Sequence, residues 1–160
     1  MKLLLYIETS VVSYLTGRPS QNPIIAGHQA ATQELWAVLS GMFSPYISDL
    51  LLQEAGKGDP VQAKTRLDAV DGLMALDVDQ EVEQVAGMLI ENGAVPAKCT
   101  EDAVHIAVAA VNGMDLIVTW NFKHINNPVM KQKMRDVLMS AGYRLPEICS
   151  PDELLEADYE

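Results

Sequence analysis

The hydrophobic positions of this chain follow two patterns: short apolar runs and longer stretches in which apolar residues recur every three or four positions. The short runs, each of strand length, are 3–7, 45–48, 73–78, 115–119 and 145–149. LLLYI, and LIV within DLIVT, are continuous apolar runs without alternation, which is typical of strands buried on both faces of a parallel sheet. The stretches with helical periodicity are 24–42, 60–71, 79–91, 101–112 and 128–141.

Strands that alternate with helices predict an α/β domain of three layers, with a mainly parallel β-sheet between helices. The pattern does not fix the order of the strands. Four pairs of a capping residue and a proline mark helix starts: Asn22-Pro23, Asp59-Pro60, Asn127-Pro128 and Ser150-Pro151. We expect one domain over 1–150, followed by a short acidic C-terminal segment over 151–160.

Composition and charge limit the classes of function that fit this chain. The 160 residues suit one domain with a substantial core, and the formal net charge is −11. This charge argues against a broad nucleic-acid-binding surface, because phosphate contacts require lysine and arginine. Residues 123–135 nevertheless contain four basic residues and no acid. They form either a local basic strip or an ordinary solvated helix face.

The sequence has no apolar run near the ~18 residues of a membrane span and no signal-peptide pattern. We therefore expect a cytoplasmic protein without a membrane partner. Its two cysteines, Cys99 and Cys149, lack the spacing of a metal-binding motif. Reduced thiols are the expectation in that compartment, and a disulfide between them stays open.

Polar side chains follow two of the apolar runs directly. Glu8, Thr9 and Ser10 come after the first run, and Asn121 comes two residues after the fourth. In an open parallel sheet, ligands bind beyond the carboxyl ends of the strands, where the strand order reverses. We expect these side chains to meet at that edge.

Two further acids lie on predicted helices. Glu54 falls on the apolar side of a short helix that Ser48 can cap, and a carboxylate there is uncommon without a partner. Asp102 opens the apolar helix 101–112, where the simple interpretation is a favourable charge near a helix N-terminus. Glu8, Glu54, Asp102 and Asn121 together favour a shared metal site over four separate structural roles.

Four segments, YIETS, LLLQEAGKGDP, DAVHIAVAAV and TWNFKHI, occur in an order that resembles a PIN domain, specifically the bacterial VapC-like toxin branch. The resemblance covers essentially the whole chain and implies a single α/β domain with metal-dependent ribonuclease activity. By it, Glu8, Glu54, Asp102 and Asn121 match the four metal-site positions. Two residues depart from the common pattern: Glu8 replaces an aspartate, and Asn121 is neutral where an aspartate is frequent.

The resemblance implies Mg²⁺ or Mn²⁺ as the cofactor, because these ions prefer oxygen ligands and activate water for phosphodiester hydrolysis. We expect Glu8 and Asp102 to be direct ligands. Glu54 would bind the metal through water or orient the attacking water, and Asn121 would complete the catalytic group by hydrogen bonding.

Five residues are candidates for contact with the substrate: Thr9, Ser10, His105, Lys123 and His124. Thr9 or Ser10 would fix positions by hydrogen bonds, and Ser10 could instead cap a helix. His105 follows Asp102 by three residues and so shares its helical face, either touching the site or serving as a hydrogen-bonded core residue. Lys123 and His124 either meet RNA phosphates or face solvent.

The resemblance therefore implies a metal-dependent endoribonuclease that acts on RNA, the toxin of a toxin–antitoxin pair. A cognate antitoxin would cover the acidic groove, and the toxin would form a homodimer. The alternative is a PIN-fold RNA- or protein-binding module with weak or no catalytic activity, which Glu8, Asn121 and the acidic charge favour. A hydrolase of another α/β family is disfavoured, because the chain has no G-x-S-x-G motif.

Overall fold

The computed structural model describes residues 1–156, and their centre is a five-stranded parallel sheet in the order β3-β2-β1-β4-β5. The strands are β1 (Leu3–Ile7), β2 (Phe43–Ser48), β3 (Met74–Leu76), β4 (Leu116–Val118) and β5 (Glu147–Cys149). All four strand pairings are parallel. The predicted α/β class and parallel sheet are confirmed.

Helices fill the connections between strands. They are α1 (Thr9–Thr16), α2 (Pro23–Met42), α3 (Asp49–Ala55), α4 (Pro60–Ala69), α5 (Gln80–Glu91), α6 (Thr100–Val111), α7 (Pro128–Ser140) and α8 (Pro151–Glu156). All five stretches with helical periodicity are helices. Helix α1 was not predicted from the periodicity. It begins directly after Glu8 and has no side-chain cap.

The helix starts follow the capping chemistry in the sequence. Asn22, Asp59 and Asn127 each accept hydrogen bonds from backbone N–H groups of the first turn, and each precedes a proline. Gly93 and Gly113 follow α5 and α6 with φ of 74° and 66°. Glycine adopts this left-handed conformation without steric cost, which ends both helices cleanly.

Alternation along the central strand builds a core on each face of the sheet. Tyr6 packs into the cluster that includes residues of α5, α6 and α7. Its neighbours Leu5 and Ile7 pack into the opposite cluster, with residues of α1, α2, α3 and α8. Successive side chains of a strand point to opposite faces, so these two clusters are the two helix–sheet interfaces. The predicted three layers are confirmed.

The acidic C-terminal segment is partly described. Residues 151–156 form α8, which packs against α2 and buries Leu154. The Glu153 carboxylate accepts the Ser150 backbone N–H at 2.8 Å, which steadies the start of this helix. Residues 157–160 of the expected segment lie outside the described residues. None of the helices within residues 1–156 has the length and apolar character that crossing a membrane requires.

The strand order determines where a site can form. The chain runs from β1 to β2 and β3 on one side, then returns to β4 and β5 on the other. The carboxyl ends of β1 and β4 are therefore neighbours at the point where the order reverses. The Glu8 backbone N–H continues the pairing beyond β1, donating to Val118 O at 3.1 Å. Glu8 and Thr119 consequently leave the sheet side by side.

Candidate functional site

Glu8 is a buried carboxylate fixed by hydroxyl groups from two parts of the chain. Its side chain is only 5 % exposed. Ser10 Oγ and Thr119 Oγ1 both donate to its Oε1, each at 2.5 Å. Burying a carboxylate is costly unless hydrogen bonds compensate, and these two hydroxyls supply them. The second carboxylate oxygen is left for another ligand.

The same two hydroxyls tie the end of β1 to the end of β4. Ser10 Oγ accepts the Trp120 backbone N–H at 2.9 Å, and Thr119 Oγ1 accepts the Asn121 N–H at 2.9 Å. Ser10 lies inside α1, and the N-cap position of that helix belongs to Glu8. The interpretation of Ser10 as a helix cap is therefore wrong. Its hydroxyl instead orients Glu8.

Asn121 presents a donor, not an oxygen, to Asp102. Its Oδ1 accepts the His124 backbone N–H at 2.9 Å, which fixes the orientation of the amide. Its Nδ2 consequently donates to Asp102 Oδ1 at 3.2 Å. Burial, and then the negative charge of Glu8, raise the pKa of the Asp102 carboxyl. The carboxylates of Glu8 and Asp102 therefore repel one another at the sheet edge where the metal site was predicted.

Glu54 is held by α1 and α6. Its Oε1 accepts a hydrogen bond from Thr9 Oγ1 at 2.6 Å and one from His105 Nε2 at 2.8 Å. Burial works to raise the pKa of Glu54, but the hydrogen bond and charge of His105 and the hydroxyl of Thr9 outweigh it and lower the pKa. Glu54 is thus an ionised carboxylate with one oxygen already engaged.

His105 connects the site to the sheet. Its Nδ1 lies 2.6 Å from Tyr6 Oη, which lies 2.7 Å from Ser48 Oγ. Burial acts to lower the pKa of His105, but the bond to Glu54 and the charges of Glu8, Glu54 and Asp102 raise it. His105 is only 1 % exposed, so it is a hydrogen-bonded core residue that also contacts the site. The core interpretation of this histidine is confirmed, and its contact with substrate stays a prediction.

Sequence reasoning missed Tyr6, Ser48 and Thr119 as parts of this network. Ser48 was expected only as the cap of α3, which it is, since its Oγ accepts the Leu51 N–H. The signal for Thr119 was its position directly after β4, beside Glu8. Tyr6 had no signal, because an aromatic residue inside an apolar strand resembles ordinary core.

The three predicted acids surround one end of the sheet without forming one tight group. All three act electrostatically on His105. Within residues 1–156, however, the only group of three or more His, Cys, Asp or Glu side chains whose ligand atoms all lie within 4.8 Å of one another is Cys99, Asp102 and His124. Glu8 and Asp102, which repel each other, fit a hard divalent cation. Glu54, with Oε1 occupied, fits contact through water better than direct ligation.

The loop after β4 carries the remaining candidates. Lys123 is exposed, and His124 is half-buried. Lys133 and Arg135 of the basic stretch are also exposed on α7, whereas Lys131 donates to Asn126 Oδ1 at 2.6 Å. The stretch therefore offers three exposed cations close in sequence to Asn121.

Aromatic residues adjoin this loop. Trp120 is buried, donates from Nε1 to Thr32 Oγ1 at 2.8 Å, and stacks on His28 with ring centroids 4.0 Å apart. It packs into the core cluster shared with α1, α2, α3 and α8. Phe122, which sequence reasoning did not single out, is 47 % exposed beside Asn121. Both cysteines are free thiols, so the open possibility of a disulfide is closed.

Comparisons with known proteins support the fold. No protein-family model and no curated protein matches this chain. Among solved structures, the chain resembles VapBC2 from Rickettsia felis, in a crystal structure bound to a DNA fragment from their promoter. The TM-score is 0.61 at 15% sequence identity, over 92% of this chain and 98% of that chain. The predicted fold is confirmed: this chain has a PIN-like parallel α/β fold, similar to that structure.

Proposed function

We propose that this protein is a metal-dependent endoribonuclease that cleaves RNA phosphodiester bonds, as the toxin of a toxin–antitoxin pair. The observation that carries the proposal is the pair Glu8 and Asp102, two acids distant in sequence that converge at the point where the strand order reverses. Burial, and after it the repulsion from Glu8, raises the pKa of Asp102. A divalent cation between them would relieve that repulsion.

The donor set fits Mg²⁺ or Mn²⁺, with Glu8 and Asp102 as direct ligands and Glu54 acting through water. Such an ion, when bound, lowers the pKa of water and neutralises charge on phosphate. The protein's own groups hold the geometry. Ser10 and Thr119 fix Glu8, as described above, and Asn121 steadies Asp102.

The predicted substrate contacts divide into two roles. Thr9, Ser10 and His105 bond to the carboxylates of Glu8 and Glu54, so positioning those acids is the role that their contacts support. Lys123 and His124 lie on the loop after β4 and suit RNA phosphates. Together with Lys133 and Arg135, they would supply the local positive charge that the acidic chain otherwise lacks.

The proposal includes protein partners. A groove of about 410 Å³ lies between α3, α5 and α6, and its lining includes Asp49, Glu83 and Glu101. A basic tail of a cognate antitoxin would complement these acids and cover the adjoining site. We further propose a cytoplasmic homodimer organised as one domain over 1–150 with the short acidic segment after it.

The test is cleavage of a mixed RNA pool by the purified chain, with Mg²⁺ or Mn²⁺ and with a chelator. We expect metal-dependent cleavage that Asp102→Ala abolishes. Glu101→Ala is the matched control, because Glu101 is the exposed acid next to Asp102 in the same turn of α6. Cleavage that survives Asp102→Ala, or that needs no metal, contradicts the proposal.

A binding module without catalysis is the second candidate. Asn121 adds no charge and turns its amide donor toward Asp102, and the three acids do not reach the mutual closeness of Cys99, Asp102 and His124. Retention of RNA by the wild-type chain, with no cleavage under any divalent ion, would support this candidate over the nuclease.

A further inference from the structure

We propose that Cys99, Asp102 and His124 form a zinc-binding site beside the carboxylate cluster, with Asp102 shared between the two. Their sulfur, oxygen and nitrogen ligand atoms all lie within 4.8 Å of one another. The site takes a borderline metal such as Zn²⁺ instead of Mg²⁺, because thiolate and imidazole ligands favour zinc.

The spacing is close to that of a formed site. Zinc binds cysteine sulfur at about 2.3 Å and histidine nitrogen at about 2.0 Å, which places two tetrahedral ligands about 3.6 Å apart. A separation of up to 4.8 Å therefore closes by about 1 Å, which small side-chain rotations supply. Three protein ligands leave a fourth position for water.

The backbone already holds the three residues in place. Cys99 ends a turn in which its N–H donates to Pro96 O at 2.9 Å, and its own carbonyl accepts the Ala103 N–H at 3.3 Å. Asp102 follows within the first turn of α6. His124 is fixed by its N–H bond to Asn121 Oδ1 and precedes the fully buried Ile125. Zinc binding would therefore require little additional ordering of the chain.

A second observation concerns the imidazole itself. His124 Nδ1 is enclosed by protein yet has no hydrogen-bond partner among residues 1–156. Buried polar atoms are nearly always paired, so this ring nitrogen, which lies in the group with Cys99 and Asp102, is open to a ligand. Coordination through Nδ1 would supply it. Asp102 is similarly available, because Asn121 engages only its Oδ1. All three side chains are half-buried, so a cation from solvent can reach them.

Titration of the metal-free chain with Co²⁺, followed by displacement with Zn²⁺, tests the site without RNA. We expect thiolate-to-cobalt charge-transfer absorption that zinc removes. Cys99→Ser should abolish this absorption and weaken zinc binding by at least about tenfold. Even substitution of residues that only hydrogen-bond to a metal's ligands typically causes a loss of this size. His124→Gln should weaken zinc binding similarly.

Cys149→Ser is the matched control, since Cys149 is the chain's other thiol and lies buried on β5. It should bind both metals like the wild type. Thermal melts of each metal-free variant confirm that it is folded. Absence of thiolate absorption in the wild type, or equal zinc affinity in Cys99→Ser, overturns the site.

Because Asp102 would belong to both sites, zinc should affect RNA cleavage, and this inference rests on the proposed ribonuclease function. Zinc bound at this site would withdraw Asp102 from the carboxylate cluster, so zinc should inhibit Mn²⁺-dependent cleavage. Cys99→Ser should retain cleavage and resist zinc. Zinc binding in a chain that cleaves no RNA would contradict the nuclease and leave the zinc site standing. Equal inhibition of wild type and Cys99→Ser would contradict the shared role of Asp102.

Discussion

His105 Nε2 lies 2.8 Å from Glu54 Oε1, joining α6 to α3 in a pair whose histidine is almost fully buried. The pKa of His105 is raised and that of Glu54 is lowered, each despite burial acting in the opposite direction. Both shifts favour a charged pair. The imidazolium would donate to Glu54 from one nitrogen and to Tyr6 Oη from the other, so the pair couples the site to β1.

This pair predicts a specific pH dependence of stability. Because the folded pKa of His105 lies above 6.5, its contribution is complete below that pH and is lost as the pH rises through the folded value. Because the folded pKa of Glu54 lies below 4.5, its contribution is present above that pH and is lost as the pH falls through the folded value. Melting temperatures in chelator should therefore fall as the pH rises above 6.5.

His105→Asn should flatten the alkaline fall in melting temperature. His28→Asn is the control, because His28 is half-buried against Trp120 and makes no ion pair with an acid among residues 1–156. His28→Asn should show the same fall in melting temperature at alkaline pH as the wild type. The same slope in wild type and His105→Asn would show that the His105–Glu54 pair is not charged.

Divalent ions should stabilise the chain through Asp102. At ~100 times the dissociation constant, a bound ion contributes about 2.7 kcal/mol, or roughly 5–10 °C in melting temperature for a chain of this size. Asp102→Asn should remove the response to Mg²⁺ and Mn²⁺. Its metal-free melting temperature should be no lower than that of the wild type, because the neutral amide ends the repulsion from Glu8. Glu101→Asn should respond to the ions as the wild type does.

Thr119 should prove a positioning residue for Glu8. Thr119→Val keeps the shape of the buried side chain but removes a hydrogen bond to a buried carboxylate, so we expect a loss of about 1.5–3 kcal/mol in the free energy of unfolding. Urea denaturation measures the loss. Thr65→Val is the control, because Thr65 Oγ1 bonds only within exposed α4, to Val61 O. A loss no larger than that of Thr65→Val would show that Glu8 does not depend on Thr119.

The sequence predicted most of the fold because its signals are local. Helix starts at Asn22, Asp59 and Asn127 are encoded within four residues each, by a capping side chain and a proline. Helix α1 was missed, since it starts against the end of β1 with no side-chain cap and only eight residues show its periodicity. The strand order depends on packing between distant segments, which no local pattern records.

The sequence predicted that the polar residues of the site lie near one another, but not the hydrogen bonds between them. The rule that polar residues after parallel strands converge identified Glu8 and Asn121, and acids on the apolar sides of predicted helices added Glu54 and Asp102. The direction of the Asn121 amide depends on one backbone N–H, that of His124. Cys99 was set aside because its spacing to Cys149 matches no metal motif. In the proposed zinc site, the relevant spacing is the three residues from Cys99 to Asp102, and His124 comes from another segment.

The two thiols should differ sharply in reactivity. Burial, followed by the charges of Glu153 and Glu147, raises the pKa of Cys149 to about 12, so the reactive thiolate is scarce at neutral pH. Cys99 is half-buried at the start of α6. Iodoacetamide should alkylate Cys99 in the native chain and Cys149 only after unfolding, as mass spectrometry of peptides can show. Equal labelling of both cysteines in the native chain would contradict the buried position of Cys149.

Lys123 should contribute to RNA affinity as a phosphate contact. The side chain is exposed on the loop that carries Asn121 and His124. Lys123→Glu should weaken RNA binding to a similar extent for every sequence, and Lys123→Ala should reduce the slope of log affinity against log salt by about 1. Binding is measured with Asp102→Asn as the background, so that cleavage does not consume the RNA. Lys64→Glu makes the same charge change on exposed α4 and should bind RNA nearly as the background does. If Lys123→Glu and Lys64→Glu weaken RNA binding equally, Lys123 is not a phosphate contact. The loss would then come from net charge alone, because long-range repulsion acts in the same way at both lysines.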